Sequence, residues 1–117
     1  MIDEIKKLAL LSDFEINKLV ATSLGLPLTH ENAIEYEQIG DTLAFYDRNR
    51  IITTMFADYC NDPEAAYSII LENKISTYWK GGVNELWIAK TAQTPAIEHE
   101  NPLRAAMMTI VILGTLE

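Results

Sequence analysis

Residues Tyr59-Cys60-Asn61-Asp62 set a phenol, a thiol, an amide and a carboxyl side by side. A thiol becomes a nucleophile when a base holds it as thiolate. Cys60 stands just ahead of the helix start announced by Asp62-Pro63-Glu64, and a helix N-terminus lowers a thiol's pKa. The bases on offer are His30 and His99, the two histidines of the chain, and no spacing brings either to Cys60. A small enzyme using Cys60 is therefore the minority reading, and an inert buried cysteine is the expectation. Both histidines have acidic neighbours, Glu31 beside His30 and Glu98 and Glu100 around His99. Their spacing matches no metal-ligand pattern. They read as solvated loop residues, and neither a metal nor a cofactor is expected. Capping accounts for Asp62 and an Asx-type turn for Asn61. Tyr59 and Asn61 stay as binding candidates beside that helix start.

A second constellation is aromatic. Tyr78, Trp79 and Trp87 flank the Gly-rich stretch Lys80-Gly81-Gly82-Val83-Asn84. Trp and Tyr are enriched in interaction hot spots, because they bury much area and keep one polar atom wet. The competing reading is a cross-strand aromatic pair packed under a helix, and the sequence favours it. Were the hairpin to face a partner, Tyr78, Trp79 and Trp87 would carry the contact. No GxGxxG, GxxxxGK[ST], GxSxG or HExxH motif occurs, so no catalytic residue is assigned.

The elements that must position these residues can be read from pattern. Ser12-Asp13-Phe14-Glu15 is a capping box, and Ile16, Leu19, Val20 and Leu24 follow at helical spacing. That predicts a helix over 13 to 24, with Gly25 ending it and Pro27 preventing continuation. Residues 3 to 10 read as a short helical lead-in. Residues 27 to 42 hold no clear period, and a short helix near Glu31 to Gln38 is the expectation. "TLAFYD" at 42 to 47 and "IITTMFA" at 51 to 57 read as strands around an Asp47-to-Arg50 turn. Asp62 as N-cap with Pro63 starts the next helix, whose inward stripe is Ala66, Ile69 and Ile70. It should end near Glu72-Asn73, with Asn73 left-handed. "KISTYW" and "ELWIAKT" follow as a hairpin. The stretch 93 to 102 reads as an exposed loop. Asn101-Pro102 then opens a helix to about Leu113 or Thr115 that is apolar nearly all round, broken mainly by Arg104, Thr109 and Thr115. Such a helix is central to the core or covered by a second copy of the chain. The core is the expectation, and a homodimer through this helix is the alternative.

The totals bound the rest. A chain of 117 residues, 49% apolar, forms one domain, residues 1–117, with a real core. The class expected is α+β, about three main helices packed on a small, mostly antiparallel β-sheet. A net charge of −8 argues against direct nucleic-acid binding, which needs clustered Lys and Arg. The acidic stretch Glu31, Glu35, Glu37 and Asp41 leaves a DNA mimic or nuclease inhibitor as an alternative. A single cysteine excludes an internal disulfide and fits a reducing compartment. The N-terminus lacks the features of a signal peptide. The longest apolar stretch, residues 105 to 114, is too short for a bilayer, which takes about 20 residues. A soluble cytoplasmic protein is expected.

Three stretches together resemble a known family. "DYCNDPEAAYSIILENKIS" at 58 to 76, "NPLRAAMMTIVIL" at 101 to 113 and "LSDFEINKLVATSLGL" at 11 to 26 look like the NinX-like proteins of lambdoid phages and prophages. They cover somewhat under half of the chain, in the family's order and spacing. The family usually carries Trp-Pro where this chain has Tyr67-Ser68, which weakens any functional claim for an aromatic-Pro step there. The resemblance implies expression inside a bacterial host and an uncharacterised activity, so it carries over no catalytic residue. The functional expectation is a non-enzymatic accessory protein that binds an unidentified host or phage protein.

Overall fold

The structure is a computed structural model that describes residues 2–24, 35–39, 42–46, 48–49, 52–83 and 85–116. The chain opens with α1 (Ile2–Ala9), which has Asp3 and Glu4 in its first turn and Lys6 and Lys7 in its last. That order complements the helix dipole. Ser12 caps α2 (Asp13–Ser23), its hydroxyl accepting from the Glu15 amide at 3.1 Å. α2 buries Ile16, Asn17, Val20 and Ala21. Leu19 and Leu24, expected on the same stripe, are more than a third exposed. Gly25 lies outside the described residues.

β1 (Glu35–Ile39), β2 (Thr42–Tyr46) and β3 (Ile52–Phe56) form an antiparallel sheet in sequence order. Over Glu35 to Gln38 this corrects the helix expected near Glu31 to Gln38; residues 31–34 lie outside the described residues. Ile39 pairs with Thr42 in the register, and the sequence between them reads Gly-Asp. Gly-Asp between two strands is a hairpin signal, and it overrides the weak helical content of Tyr36-Glu37-Gln38.

α3 (Pro63–Glu72) starts as the sequence indicates, with Asp62 accepting from the Glu64 amide at 3.1 Å. It ends at Glu72, as the sequence indicates, and only the left-handed position differs, by one residue. Asn73 sits at φ −95, and Lys74 takes the left-handed position at φ 53. The Lys74 amide donates to the Leu71 carbonyl and the Ile75 amide to the Ile70 carbonyl, a Schellman closure. Asn73 prefers to turn its side-chain amide onto the Ile69 carbonyl, at 2.9 Å.

β4 (Ser76–Gly81), β5 (Leu86–Lys90) and β6 (Ile97–His99) make the second antiparallel sheet, with β5 in the middle. The 93-to-102 stretch is therefore not simply an exposed loop. Ile97 is 1% exposed and holds β6 to the core.

α4 (Pro102–Thr115) is the centre of the molecule, packed between α2 and the β5–β6 side of the second sheet. Asn101 caps it, accepting from the amides of Leu103 and Arg104. Every residue from Arg104 to Ile112 is buried, which answers the apolar run within one chain. Ala105 and Ala106, both fully buried, leave room for neighbours to approach closely. Each fully buried Met or Ile here contributes about 1.5–3 kcal/mol relative to exposure. The fold is α+β, with four helices and six strands among the described residues.

Candidate functional site

The turn from Asp58 to Asp62 is built on one polar cluster. The Asn61 and Asp62 amides both donate to the Asp58 carbonyl. Asn17, fully buried on α2, donates from Nδ2 to Asp58 Oδ1 at 2.8 Å and accepts from the Cys60 amide at 3.0 Å. Asn61 Nδ2 donates to Asp13 Oδ2 at 3.0 Å and to both Asp58 carboxylate oxygens at 3.1 Å. Asn101 Nδ2 donates to the Cys60 carbonyl at 2.8 Å. One cluster thus ties the start of α2, the turn before α3 and the cap of α4.

Beneath it lies Arg104, 5% exposed. Its guanidinium donates to Asp13 Oδ1 at 2.6 Å, to the Leu11 carbonyl at 2.6 Å and to the Leu8 carbonyl at 3.1 Å. Its Nε has no partner among the described residues. Burial pushes the Asp13 carboxyl up, but the hydrogen bonds from Arg104 and Asn61 outweigh this and hold it below the usual carboxylate range. A buried cation needs such pairing, because desolvation otherwise costs several kcal/mol, roughly.

His99 borders this cluster and is not a solvated loop residue. It sits half-buried on β6, and its Nδ1 accepts from the Asn101 amide at 2.9 Å. Burial, and then the charge of Arg104, lowers its pKa, against smaller opposing contributions from Glu100 and Asp13. In the register Trp79 pairs with Trp87 and Trp87 with His99. Directly paired residues project to the same face, so Trp79, Trp87 and His99 form one row across three strands. That face also carries Ala89 and Ile97, fully or almost fully buried.

The structure brings some sequence candidates together and separates others. Trp79 and Trp87 are the expected cross-strand pair, T-shaped with centroids 5.3 Å apart. Trp87 is half-buried, but Trp79 is 49% exposed. Tyr78 pairs with Ile88 and so points to the opposite face. It is 43% exposed, with Lys90 Nζ 6.0 Å from its ring centroid. Tyr59 is a core residue, 7% exposed, and burial pushes its phenol up. Asn61 is exposed but spends its amide on the cluster. Cys60 is fully buried, its Sγ 3.9 Å from the Asp13 carbonyl, so the thiol has no solvent access. Of the acidic stretch, Glu31 and Asp41 lie outside the described residues. Glu37 is exposed and accepts from the Tyr46 hydroxyl at 3.2 Å.

Sequence reasoning missed Asp13, Asn17, Asp58 and Asn101 as members of one cluster. A signal existed for two of its residues. Asn17 stands on the inward face of α2 one turn after Asp13, and Arg104 is the lone charge in an apolar helix.

What the arrangement offers chemically is a strand edge. β4 is bonded to β5 on one side and borders no strand on the other among the described residues. Ser76, Thr77, Tyr78, Trp79 and Lys80 are all exposed. Lys often blocks such edges, but Lys80 Nζ reaches inward across β5 to Glu98 Oε1 on β6, at 2.7 Å.

The family model described as "Bacteriophage P22, NinX" matches residues 7–113 of the chain. No curated protein and no solved structure matches it. No helix among the described residues is long and apolar enough to cross a membrane. The chain belongs to the NinX family of phage proteins.

Proposed function

We propose that this member of the NinX family is a non-enzymatic accessory protein of a phage or prophage. It works in the cytoplasm of the bacterial host and binds another protein, not nucleic acid, through the β4 edge and the aromatic residues around it. The observation that carries this reading is the exposure of every residue from Ser76 to Lys80. An edge strand with unpaired backbone groups is a template for an added strand. Tyr78 on one face and Trp79 with Trp87 on the other would grip side chains of that strand from both sides. Trp79 leaves about half its surface in water, an arrangement that core packing alone does not require.

The test is a tagged pull-down from infected, nuclease-treated host lysate with wild type, Tyr78→Ala and Trp79→Ala. Tyr78→Ala should leave the melting temperature nearly unchanged, and Trp79→Ala, which also loses the contact with Trp87, should lower it by no more than about 6 °C. The expected result is a stoichiometric protein retained by wild type and lost by both variants. A partner retained equally by both variants would refute the β4 face. A partner that is itself a DNA-binding nuclease, retained through Glu37 and its neighbours, would favour mimicry instead.

A further inference from the structure

Ser76, the first residue of β4, lines a groove of about 630 Å3 at that end of the strand. Lys74, Ser76, Lys90, Thr91 and Thr94 line it, with two alanines and no carboxylate among the described residues. In a chain with 17 acidic and 9 basic residues, a basic groove free of acid is a local reversal of charge. The backbone builds it in two steps. Lys74 occupies the left-handed position that ends α3, which turns the chain sharply into β4. Ser76 pairs with Lys90 across the β4–β5 ladder, so the two share a face. The Thr91 and Thr94 hydroxyls are bonded to each other at 3.1 Å, and Thr94 Oγ1 takes the Thr91 amide at 2.9 Å. That closed turn shapes one wall. Lys74 and Lys90 have no salt-bridge partner among the described residues, whereas Lys80 and Arg104 are both paired. Both side chains are exposed, and Lys90 Nζ, 6.0 Å from the Tyr78 ring centroid, leans towards β4 with no carboxylate of the groove lining to neutralise it.

We propose that β4 receives an extended acidic segment of a partner protein, with a carboxylate side chain seated between Lys74 and Lys90 and apolar side chains beside Tyr78 and Trp79. This rests on the reading of β4 as a docking edge and adds the chemistry of the occupant. Strand addition supplies main-chain bonds without sequence preference. The preference then comes from charge at one end of β4 and aromatic surface further along. A second copy of this chain is a poorer occupant. An antiparallel copy centred on Tyr78 would bring Lys80 opposite Ser76, and it offers no acid to the Lys74–Lys90 groove.

The experiment uses the full chain, labelled with 15N, and three synthetic eight-residue peptides of alternating Thr and Val. One carries Glu at its first and last positions, one Gln and one Lys. Each is titrated to millimolar concentration while the amide resonances of residues 74 to 80 and 90 to 94 are followed. The Glu peptide should shift these amides and bind about fivefold or more tightly than the Lys peptide, the size that two exposed charge pairs supply. The preference should shrink in high salt and vanish in Lys74→Gln/Lys90→Gln. Equal binding of all three at β4 would overturn the acidic occupant while leaving the docking edge standing. Binding of none, or shifts confined to other elements, would overturn both. A β4-mediated dimer of the protein alone, seen by sedimentation, would replace the partner segment with a second copy and overturn the proposal.

Discussion

Asp13 and Arg104 lie 91 residues apart and meet at 2.6 Å, and removing the acid tests whether that contact holds the helices together. Asp13→Ala deletes the anion and leaves a guanidinium that is 5% exposed facing only two carbonyls, those of Leu8 and Leu11. The charge-assisted bond is worth about 1.5–3 kcal/mol. Losing the Asn61 bond adds about 1 kcal/mol. Breaking a fully buried pair costs about 3–5 kcal/mol, but the Asp13 side chain is 31% exposed, so water can reach part of the gap. About 3 kcal/mol is the expected total. Arg104→Met removes the cation with its desolvation cost, takes a donor from the Leu11 carbonyl and from the Leu8 carbonyl, of which Leu8 keeps the Leu11 amide, and should cost about 2–3 kcal/mol. The double variant should then cost about 3–4 kcal/mol, which leaves a coupling of about 2 kcal/mol. Urea unfolding followed by Trp79 and Trp87 fluorescence measures this. With an m-value of about 1.5 kcal/mol per M, Asp13→Ala lowers the midpoint by about 2 M. Native stabilities of about 5–15 kcal/mol leave the variant folded in water. Strictly additive single costs, or an Asp13→Ala cost below about 1 kcal/mol, would show that Arg104 is solvated and that the clamp does not exist.

Further outcomes follow from the same geometry. Asn17→Ala strands the buried Cys60 amide and should lower the melting temperature by about 8–12 °C, from about 2–3 kcal/mol; a drop of a degree or two would mean that water replaces the amide. His99 has its pKa lowered by burial and then by Arg104. A folded value below the unfolded one means fewer protons bound when folded, so its contribution is full above the ordinary value of 6.5 and is lost as pH falls below it. The urea midpoint should therefore drop between neutral and mildly acidic pH, and His99→Gln should flatten that drop; an unchanged slope refutes the assignment. Asp13 adds a second loss at lower pH, present above its ordinary 3.8 and gone as pH falls through its depressed folded value. Trp87→Ala should cost about 2–3 kcal/mol and half-exposed Trp79→Ala less than about 1.5 kcal/mol; thermal melts in which Trp79 costs more would place it in the core.

The caps were legible because each is a local device. Ser12, Asp62 and Asn101 each bond an amide two or three residues away, so short windows of sequence contain the whole interaction. The α4 core was legible for a related reason, since nearly every residue from Pro102 to Leu113 is apolar. β6 was not, because three residues around Ile97 are too few for a period of two to register. The polar cluster was out of reach for a different reason. Its contacts between elements span 40 to 96 residues, and pattern along a chain carries no information about which distant polar groups will share a burial site.

The aromatic pair shows where a right sequence argument still stopped short. Trp79 and Trp87 do pack across the strands, as cross-strand chemistry anticipates. Pairing fixes register, but it does not say which strand lies at the edge. That follows from β6, which occupies the far side of β5 and leaves β4 outermost. Had β6 added to β4 instead, Trp79 would be covered and Trp87 would face water. The short strand unread in the sequence therefore decides which tryptophan is presented. His99 on that strand in turn meets the α4 cap. Loosening the α4 cap should thus be felt at the β4 edge, through β6 and β5. The Asn101→Ala variant tests this, with Trp79 exposure read by acrylamide quenching. Quenching that rises before global unfolding supports the coupling, and quenching that tracks global unfolding alone excludes it.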